Sequence, residues 1–250
     1  MKSLIITVAG MSSRFNRDTK EDVLKCLYYE DIPANSLLSL QIQRTYDRVD
    51  EIVVVGGYKY EDLVQFIGKE IQDPDHKIRL VYNDHFQDYG SCYSLLMGLD
   101  AVSEEADEII FIEGDLLFDS ESVVKIIDSR RDVISVNSEP ILSNKAVALY
   151  FDAGNCPHYI YDTRHSCLEI HEPFTAIYNS GQMWKFMDPE KVRKVCLSLT
   201  PEQQRGTNLE IVQRYFGTLR SGQLDIVRMG LWYNCNTVSD YREAVKTVCR

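Results

Sequence analysis

The order of apolar and amphipathic segments predicts an open α/β fold, a mostly parallel sheet with helices on both faces and a small antiparallel lid. Three observations carry this. Strand-length apolar runs alternate with helix-length amphipathic segments as far as Glu113, a β-α-β-α-β-α-β order typical of parallel sheets. Beyond Asp132 the strands become short, with little room for helices between them. Capping-box spacings then announce helices ahead of two late strands.

Leu4 to Ala9 reads as the first strand. Asn35 is a candidate N-cap for a helix through Leu37, Leu38, Ile42 and Tyr46. Glu51 to Gly56 is a second strand, Lys59 to Ile71 a helix, Ile78 to Tyr82 a third strand, Ser91 to Val102 a helix and Glu108 to Glu113 a fourth strand. The lid comprises Val133 to Val136, Ala146 to Phe151, Tyr159 to Asp162, Leu168 to Ile170 and Ala176 to Tyr178. Thr200-Pro-Glu-Gln203 and Thr207-Asn-Leu-Glu210 have the spacing in which a hydroxyl and a carboxamide or carboxylate satisfy free amides at a helix start. Leu224 to Arg228 and Trp232 to Cys235 are the last strands, and Val238 to Val248 a closing helix. With no repeat, linker or low-complexity stretch, residues 1–250 read as one domain, divided into a half at 1–130 and a half at 131–250.

The chain has 250 residues, 44% hydrophobic and 26% charged, enough to bury a core. No apolar run approaches the roughly 18 residues a membrane span needs, and the short stretch after Met1 reads as a strand instead of a leader, so no membrane insertion and a cytoplasmic location are expected. The seven cysteines, Cys26, Cys92, Cys156, Cys167, Cys196, Cys235 and Cys249, are scattered, odd in number and never in CxxC spacing, which predicts reduced thiols. The five histidines, His165 among them, show no metal spacing. A net charge of -11 would repel a phosphate backbone, so no nucleic-acid partner is expected; a small phosphorylated ligand remains compatible.

Four segments could carry chemistry. In Ala9-Gly10-Met11-Ser12-Ser13-Arg14-Phe15, with Lys25 beyond, a glycine and serines after a buried strand let backbone amides approach phosphate oxygens, and Arg and Lys neutralise them. An ordinary strand-to-helix turn is the alternative, for this is neither a Walker A sequence nor a G-x-G-x-x-G loop. In Phe111-Ile112-Glu113-Gly114-Asp115, the aspartate lies past the end of a central strand, where open α/β sheets bind ligands. Gly-Asp is also a common turn. In Trp232-Tyr233-Asn234-Cys235-Asn236-Thr237, Asn236 could add an oxygen ligand or merely cap a helix. In Val81-Tyr82-Asn83-Asp84 through Gly90-Ser91-Cys92-Tyr93-Ser94-Leu95, Gly90 and Ser91 could meet a base or sugar, or only start a helix.

Taken in order, these segments resemble the nucleotidyltransferase superfamily, bacterial choline-phosphate cytidylyltransferases and sugar-phosphate nucleotidylyltransferases above all. The superfamily's Ala-Ala-Gly-x-Gly-x-Arg loop and Pro-Lys are matched by Val8-Ala9-Gly10-Met11-Ser12-Ser13-Arg14 and Leu24-Lys25. Its Val-x-Asn-x-x-(Tyr/Phe)-x-x-Tyr-x-x-x-Tyr-Ser-Leu stretch is similar to Val81, Asn83, Phe86, Tyr89, Tyr93, Ser94 and Leu95. Its metal aspartate corresponds to Asp115 and its late Ile-Asp-(Ser/Thr) to Cys235-Asn236-Thr237. Ser12 stands where the family has glycine and Asn236 where many members have a second aspartate.

The resemblance implies a Rossmann-like three-layer α/β/α nucleotidyltransferase fold, a nucleotide-binding half at 1–130 and an acceptor-binding half at 131–250. It also implies Mg²⁺-dependent transfer of a nucleoside monophosphate from a nucleoside triphosphate, CTP favoured, to a small phosphorylated acceptor. Phosphocholine, a phosphonate, a polyol phosphate and a sugar phosphate are the candidates, as in cell-surface polysaccharide biosynthesis, and a homodimer is compatible. Lys25 would face the α-phosphate and Arg14 the β- and γ-phosphates. Ala9, Gly10, Ser12, Ser13, Asn83, Gly90 and Ser91 would bind the nucleotide, and Asp115 and Asn236 the metal. Tyr150, Tyr159, Tyr161, His171, Glu172, Trp184 and Trp232 could cage an amine head group, although aromatics at strand spacing more often fill a core. Two other readings stay open: a noncatalytic nucleotide-binding module, and a glycosyltransferase with Glu113-Gly114-Asp115 as a partial Asp-x-Asp.

Overall fold

The computed structural model describes residues 1–142, 146–161 and 168–248. Its strands, in chain order, are β1 (Lys2–Thr7), β2 (Glu51–Gly56), β3 (Ile78–Tyr82), β4 (Glu108–Glu113), β5 (Leu116–Phe118), β6 (Asp132–Asn137), β7 (Ala148–Asp152), β8 (Pro157–Ile160), β9 (Phe174–Phe186), β10 (Leu224–Arg228) and β11 (Trp232–Asn234). The helices are α1 (Leu37–Thr45), α2 (Tyr60–Glu70), α3 (Ser91–Ala101), α4 (Ser120–Asp128), α5 (Pro189–Leu197), α6 (Pro201–Gln204), α7 (Leu209–Phe216) and α8 (Val238–Val248).

The main sheet runs β10-β6-β9-β4-β1-β2-β3, parallel apart from β9, which is antiparallel to both β4 and β6. Strands from residues before 131 fill one side of it and strands from residues after 131 the other, and they meet at the β4–β9 seam. The outer half of β9 pairs with β7, which pairs with β8, making the small antiparallel lid. β5 and β11 form a separate two-stranded ribbon. Leu4, Ile5 and Ile6 of β1, Ile52 to Val55 of β2 and Ile109 to Ile112 of β4 are fully buried, as unbroken apolar strands covered on both faces must be. Helices α3, α5 and α7 contribute to the core on one face, α1, α2 and α4 to that on the other. A third cluster joins Phe15, Leu37, Leu40 and Leu117 to Val238, Tyr241 and Ala244 of α8.

Several local expectations need correction. Asn35 belongs to a 3₁₀ turn, Pro33–Asn35, and the cap of α1 is Ser36, whose hydroxyl accepts from the Ser39 N–H. The Thr200–Gln203 capping box forms, whereas at α7 the cap position falls to Asn208 and no side chain caps it. Leu168 to Ile170 is not a strand. Ala176 to Tyr178 is part of the much longer β9, and of the strand expected at Tyr159 to Asp162, the last residue lies outside the described residues. Helices α4 and α5 lie outside the helices expected from the sequence, although each starts on an aspartate that accepts from the N–H three residues on, Asp119 from Ser122 and Asp188 from Lys191. Cys26, Cys92, Cys156, Cys196 and Cys235 are free thiols, while Cys167, Cys249 and His165 lie outside the described residues. Among the described residues no helix is long and apolar enough to cross a membrane.

Candidate functional site

A cleft of about 380 Å³ opens past the carboxyl ends of β1 and β4. Every residue expected at the nucleotide, phosphates or metal lines it: Ala9, Gly10, Ser12, Ser13 and Arg14 from the first loop, Lys25, the group Asn83, Gly90 and Ser91, and Asp115 with Asn236.

The first loop is built to leave donors free. Beyond β1, Val8 N–H donates to Val55 and Ala9 C=O accepts from Tyr58 N–H, at 2.8 and 3.1 Å. From Gly10 to Ser13 no backbone N–H donates to another described group. Ser12 sits at φ 56°, the left-handed region that glycine enters at no steric cost. Its hydroxyl accepts the Lys25 N–H at 3.0 Å, tying the loop to the lysine that follows it. The exposed Arg14 side chain has no partner among the described residues, so its charge is available to an anion. Burial pushes the Cys26 thiol in this cleft up to about 12, which keeps it protonated and unsuited to act as a nucleophile.

At the opposite wall, Lys25 Nζ pairs with Asp115 Oδ2 at 2.9 Å. Asp115 rides on the β4–β5 turn, held from below by the buried Gln41 of α1, whose Nε2 donates to the carbonyls of Glu113 and Leu116 at 3.0 and 2.8 Å. Gly114 lets this turn press on β1: its N–H donates to Thr7 C=O at 3.0 Å, and a Cβ there would lie 2.3 Å from Val8 Cγ1. Cys235 N–H donates to Asp115 C=O at 2.8 Å and so fastens the end of β11 beside the turn.

Two oxygens in this cleft are buried without a hydrogen-bond partner, Asp115 Oδ1 and Asn236 Oδ1. Buried acceptors are rarely left so, and each such atom asks for a ligand. Among the described residues, no group of three or more His, Cys, Asp or Glu is placed to hold a metal ion. Asp115 Oδ1 and Asn236 Oδ1 could offer two oxygens to a hard cation such as Mg²⁺, which completes its shell with water and phosphate oxygens.

Glu113 behaves differently from Asp115. Its Oε1 accepts from Asn208 Nδ2 at 2.6 Å and its Oε2 from Gln182 Nε2 at 2.7 Å. Burial, and then the charge of Asp115, push its carboxyl up to about 8, while Asn208, Lys25 and Gln182 favour the ionised form. With both oxygens occupied, Glu113-Gly114-Asp115 does not present paired carboxylates to a metal, which counts against an Asp-x-Asp reading. Asn208 and Gln182 escape the sequence because each reaches Glu113 from a distant segment, and the capping-box spacing around Asn208 points only to a helix start.

The wall formed by Asn83, Gly90 and Ser91 is also tied down. The Gly90 N–H donates to Arg205 C=O at 3.0 Å, and a Cβ on Gly90 would lie 2.1 Å from Gly206 O, so the 205–206 turn requires glycine here. The Ser91 hydroxyl accepts the Asn208 N–H at 3.0 Å, and Asn83 spans His85 N–H and Ser94 Oγ. Gly90 thus shapes the wall and has no N–H left for a base. Tyr89, stacked on His85 with ring centroids 4.4 Å apart, has the Arg205 guanidinium over its ring.

The expected aromatic cage does not assemble. Trp184 and Tyr159 are core residues, joined by a 2.6 Å bond from the indole N–H to the Tyr159 oxygen. The Trp232 indole donates to Gly181 C=O, Tyr150 to Glu172, Tyr161 to Glu210, and His171 pairs with Glu169.

The same fold occurs in solved nucleotidyltransferases. The inositol-1-phosphate CTP transferase of T. maritima superposes with a TM-score of 0.70 at 17% identity, covering 99% of this chain and 96% of its own. A provisionally assigned glucose-1-phosphate thymidylyltransferase from Bacillus anthracis gives 0.72 at 16% identity, covering 99% and 95%. The CTP:phosphocholine cytidylyltransferase of Streptococcus pneumoniae gives 0.70 at 18% identity, covering 98% of each chain. No curated protein sequence matches. Residues 21–248 match the family described as a domain of unknown function, DUF6564.

Proposed function

This chain belongs to the DUF6564 family, and we propose that it is a metal-dependent nucleotidyltransferase that moves a nucleoside monophosphate from its triphosphate to a small phosphorylated acceptor. One observation carries the reading: a loop with free amides and an unpaired Arg14 faces two orphaned, buried oxygens, Asp115 Oδ1 and Asn236 Oδ1, across a cleft spanned by Lys25. That is a phosphate cradle opposite a cation site.

Asp115 and Asn236 would hold Mg²⁺, which when bound neutralises charge on the nucleotide phosphates. The amides of Gly10 to Ser13 and the Arg14 guanidinium bind the β- and γ-phosphates. Lys25, released from Asp115, turns to the α-phosphate and stabilises the charge that builds there. An acceptor phosphate oxygen attacks the α-phosphorus, the bond to the β-phosphate oxygen breaks in line, and pyrophosphate leaves. No protein nucleophile is needed, so the residues act by positioning and charge. The Ser91 hydroxyl, whose oxygen already accepts from Asn208, still has its proton to donate to the base or sugar. Residues 1–130 supply most of the nucleotide side, and the acceptor enters from the half at 131–250.

CTP is the favoured nucleotide: the loop and Tyr-Ser-Leu resemblance leans to cytidylyltransferases, and two of the three similar structures are CTP-using enzymes by name. Phosphocholine, a phosphonate, a polyol phosphate and a sugar 1-phosphate are the acceptors to test. The free thiols support a cytosolic setting. The experiment is pyrophosphate release with Mg²⁺ for each of four nucleoside triphosphates against that acceptor panel. Release with one pair is expected; nucleotide binding without release across the panel would favour a noncatalytic binding module.

A further inference from the structure

Asn236 can point either end of its amide into the cleft, and only the oxygen would bind a cation. A chain of side-chain bonds settles which end it is. Asn236 Nδ2 donates to Asn234 Oδ1 at 2.7 Å, Asn234 Nδ2 to Gln182 Oε1 at 3.3 Å, and Gln182 Nε2 to Glu113 Oε2 at 2.7 Å. The second Glu113 oxygen is taken by Asn208. Every amide in the row donates in one direction, towards the carboxylate that ends it.

We propose that Gln182 is a positioning residue: through Asn234 it passes the acceptor character of Glu113 to Asn236, so that Asn236 turns its oxygen, and not its NH₂, to the cation site. Both Glu113 oxygens accept, so Gln182 turns its NH₂ to Glu113 and its oxygen to Asn234. Asn234 then turns its NH₂ to Gln182 and its oxygen to Asn236. Asn236, which lines the cleft, is left with its Oδ1 buried and without a partner. An aspartate at this place would need no such arrangement, since both its ends are oxygens.

A second observation points to Gln182. It sits in the long strand β9 at φ 55°, a left-handed conformation for a non-glycine residue, just where the β6–β9 register slips between Ile134 and Val136. Bulges next to sites re-aim side chains, and local backbone strain persists where the surroundings enforce it. Here the distortion turns Gln182 into the gap between Glu113 and Asn234.

The inference rests on reading the cleft as a cation-dependent site, and the test separates the two. Mn²⁺ affinity is measured by electron paramagnetic resonance in oxygen-free buffer for the native protein, Gln182→Met, Asn236→Asp and the double variant. Thermal unfolding checks that each folds. Gln182→Met changes no charge, and in the native background it should weaken Mn²⁺ binding roughly 10-fold, the scale on which groups that orient a metal ligand act. In the Asn236→Asp background the same change should cause no loss, because orientation no longer matters, and it frees a row otherwise caught between two carboxylates. An equal loss in both backgrounds would mean a merely structural role and overturn the inference while leaving the cation site intact. Absence of Mn²⁺ binding by the native protein would overturn both.

Discussion

At the scale of single residues, the site is a competition for one carboxylate. Lys25 and the proposed cation both seek Asp115, and the 2.9 Å ion pair is largely buried, with side-chain exposures near one fifth, so it opens only where cation and phosphate replace its two charges. Lys25→Ala should lower turnover on the order of 10²–10³-fold, as loss of one preorganised charge-stabilising group does, with the fold unchanged. Pyrophosphate release and circular dichroism check the two halves of that statement, and near-normal turnover would remove Lys25 from the mechanism. Asp115 is legible in the sequence because it sits two residues beyond the strongly apolar β4, and Lys25 because Leu24-Lys25 follows the first loop where the similar enzymes have Pro-Lys. Glu113's partners are not: Asn208 and Gln182 reach it from 95 and 69 positions away, and nothing local to either points to Glu113. Ser12 is an intermediate case. Its place against a glycine was readable, and its φ of 56° shows that serine adopts the conformation the loop demands.

At the scale of elements, the turn that bears Asp115 depends on α1 beneath it and β1 beside it. Gln41→Leu removes two hydrogen bonds to carbonyls of that turn and should cost about 1–3 kcal/mol in urea unfolding. A variant as stable as the native protein would show that the clamp contributes nothing. Gly114→Ala should do more damage to the site than to the fold, since the new methyl meets Val8 and the Thr7 carbonyl and can be relieved by lifting the turn with Asp115 on it. Metal affinity is expected to fall further than the melting temperature; loss of stability with native metal affinity would contradict this. The same scale shows what can be read from sequence. The bounds of β2, β3, β4, β10 and α8 follow from apolar runs with clear punctuation. β9 reads as a three-residue strand because Asn179-Ser180-Gly181 looks like a turn, yet pairing with β6, β7 and β4 carries it through Phe186. Tertiary pairing overrides local propensity there.

At the scale of the whole molecule, the two sides of the sheet share the β4–β9 seam and a continuous apolar layer containing Phe111 and Trp184, whose rings stack 5.3 Å apart. Unfolding is therefore expected to be cooperative, with far-ultraviolet circular dichroism and tryptophan fluorescence giving one transition. Both tryptophans, Trp184 and Trp232, lie after residue 131, so separate midpoints would reveal two independent units. Insertion of β9 between β4 and β6 also dictates an order of assembly. On the ribosome, β4 emerges long before its neighbour, and until Phe174–Phe186 follows, the growing chain carries an apolar strand with a whole row of unpaired backbone groups. Such an edge invites pairing with other nascent chains. The seam that unites the finished protein is thus its point of greatest exposure while it is being made, and chaperone demand should peak in the interval between the two strands.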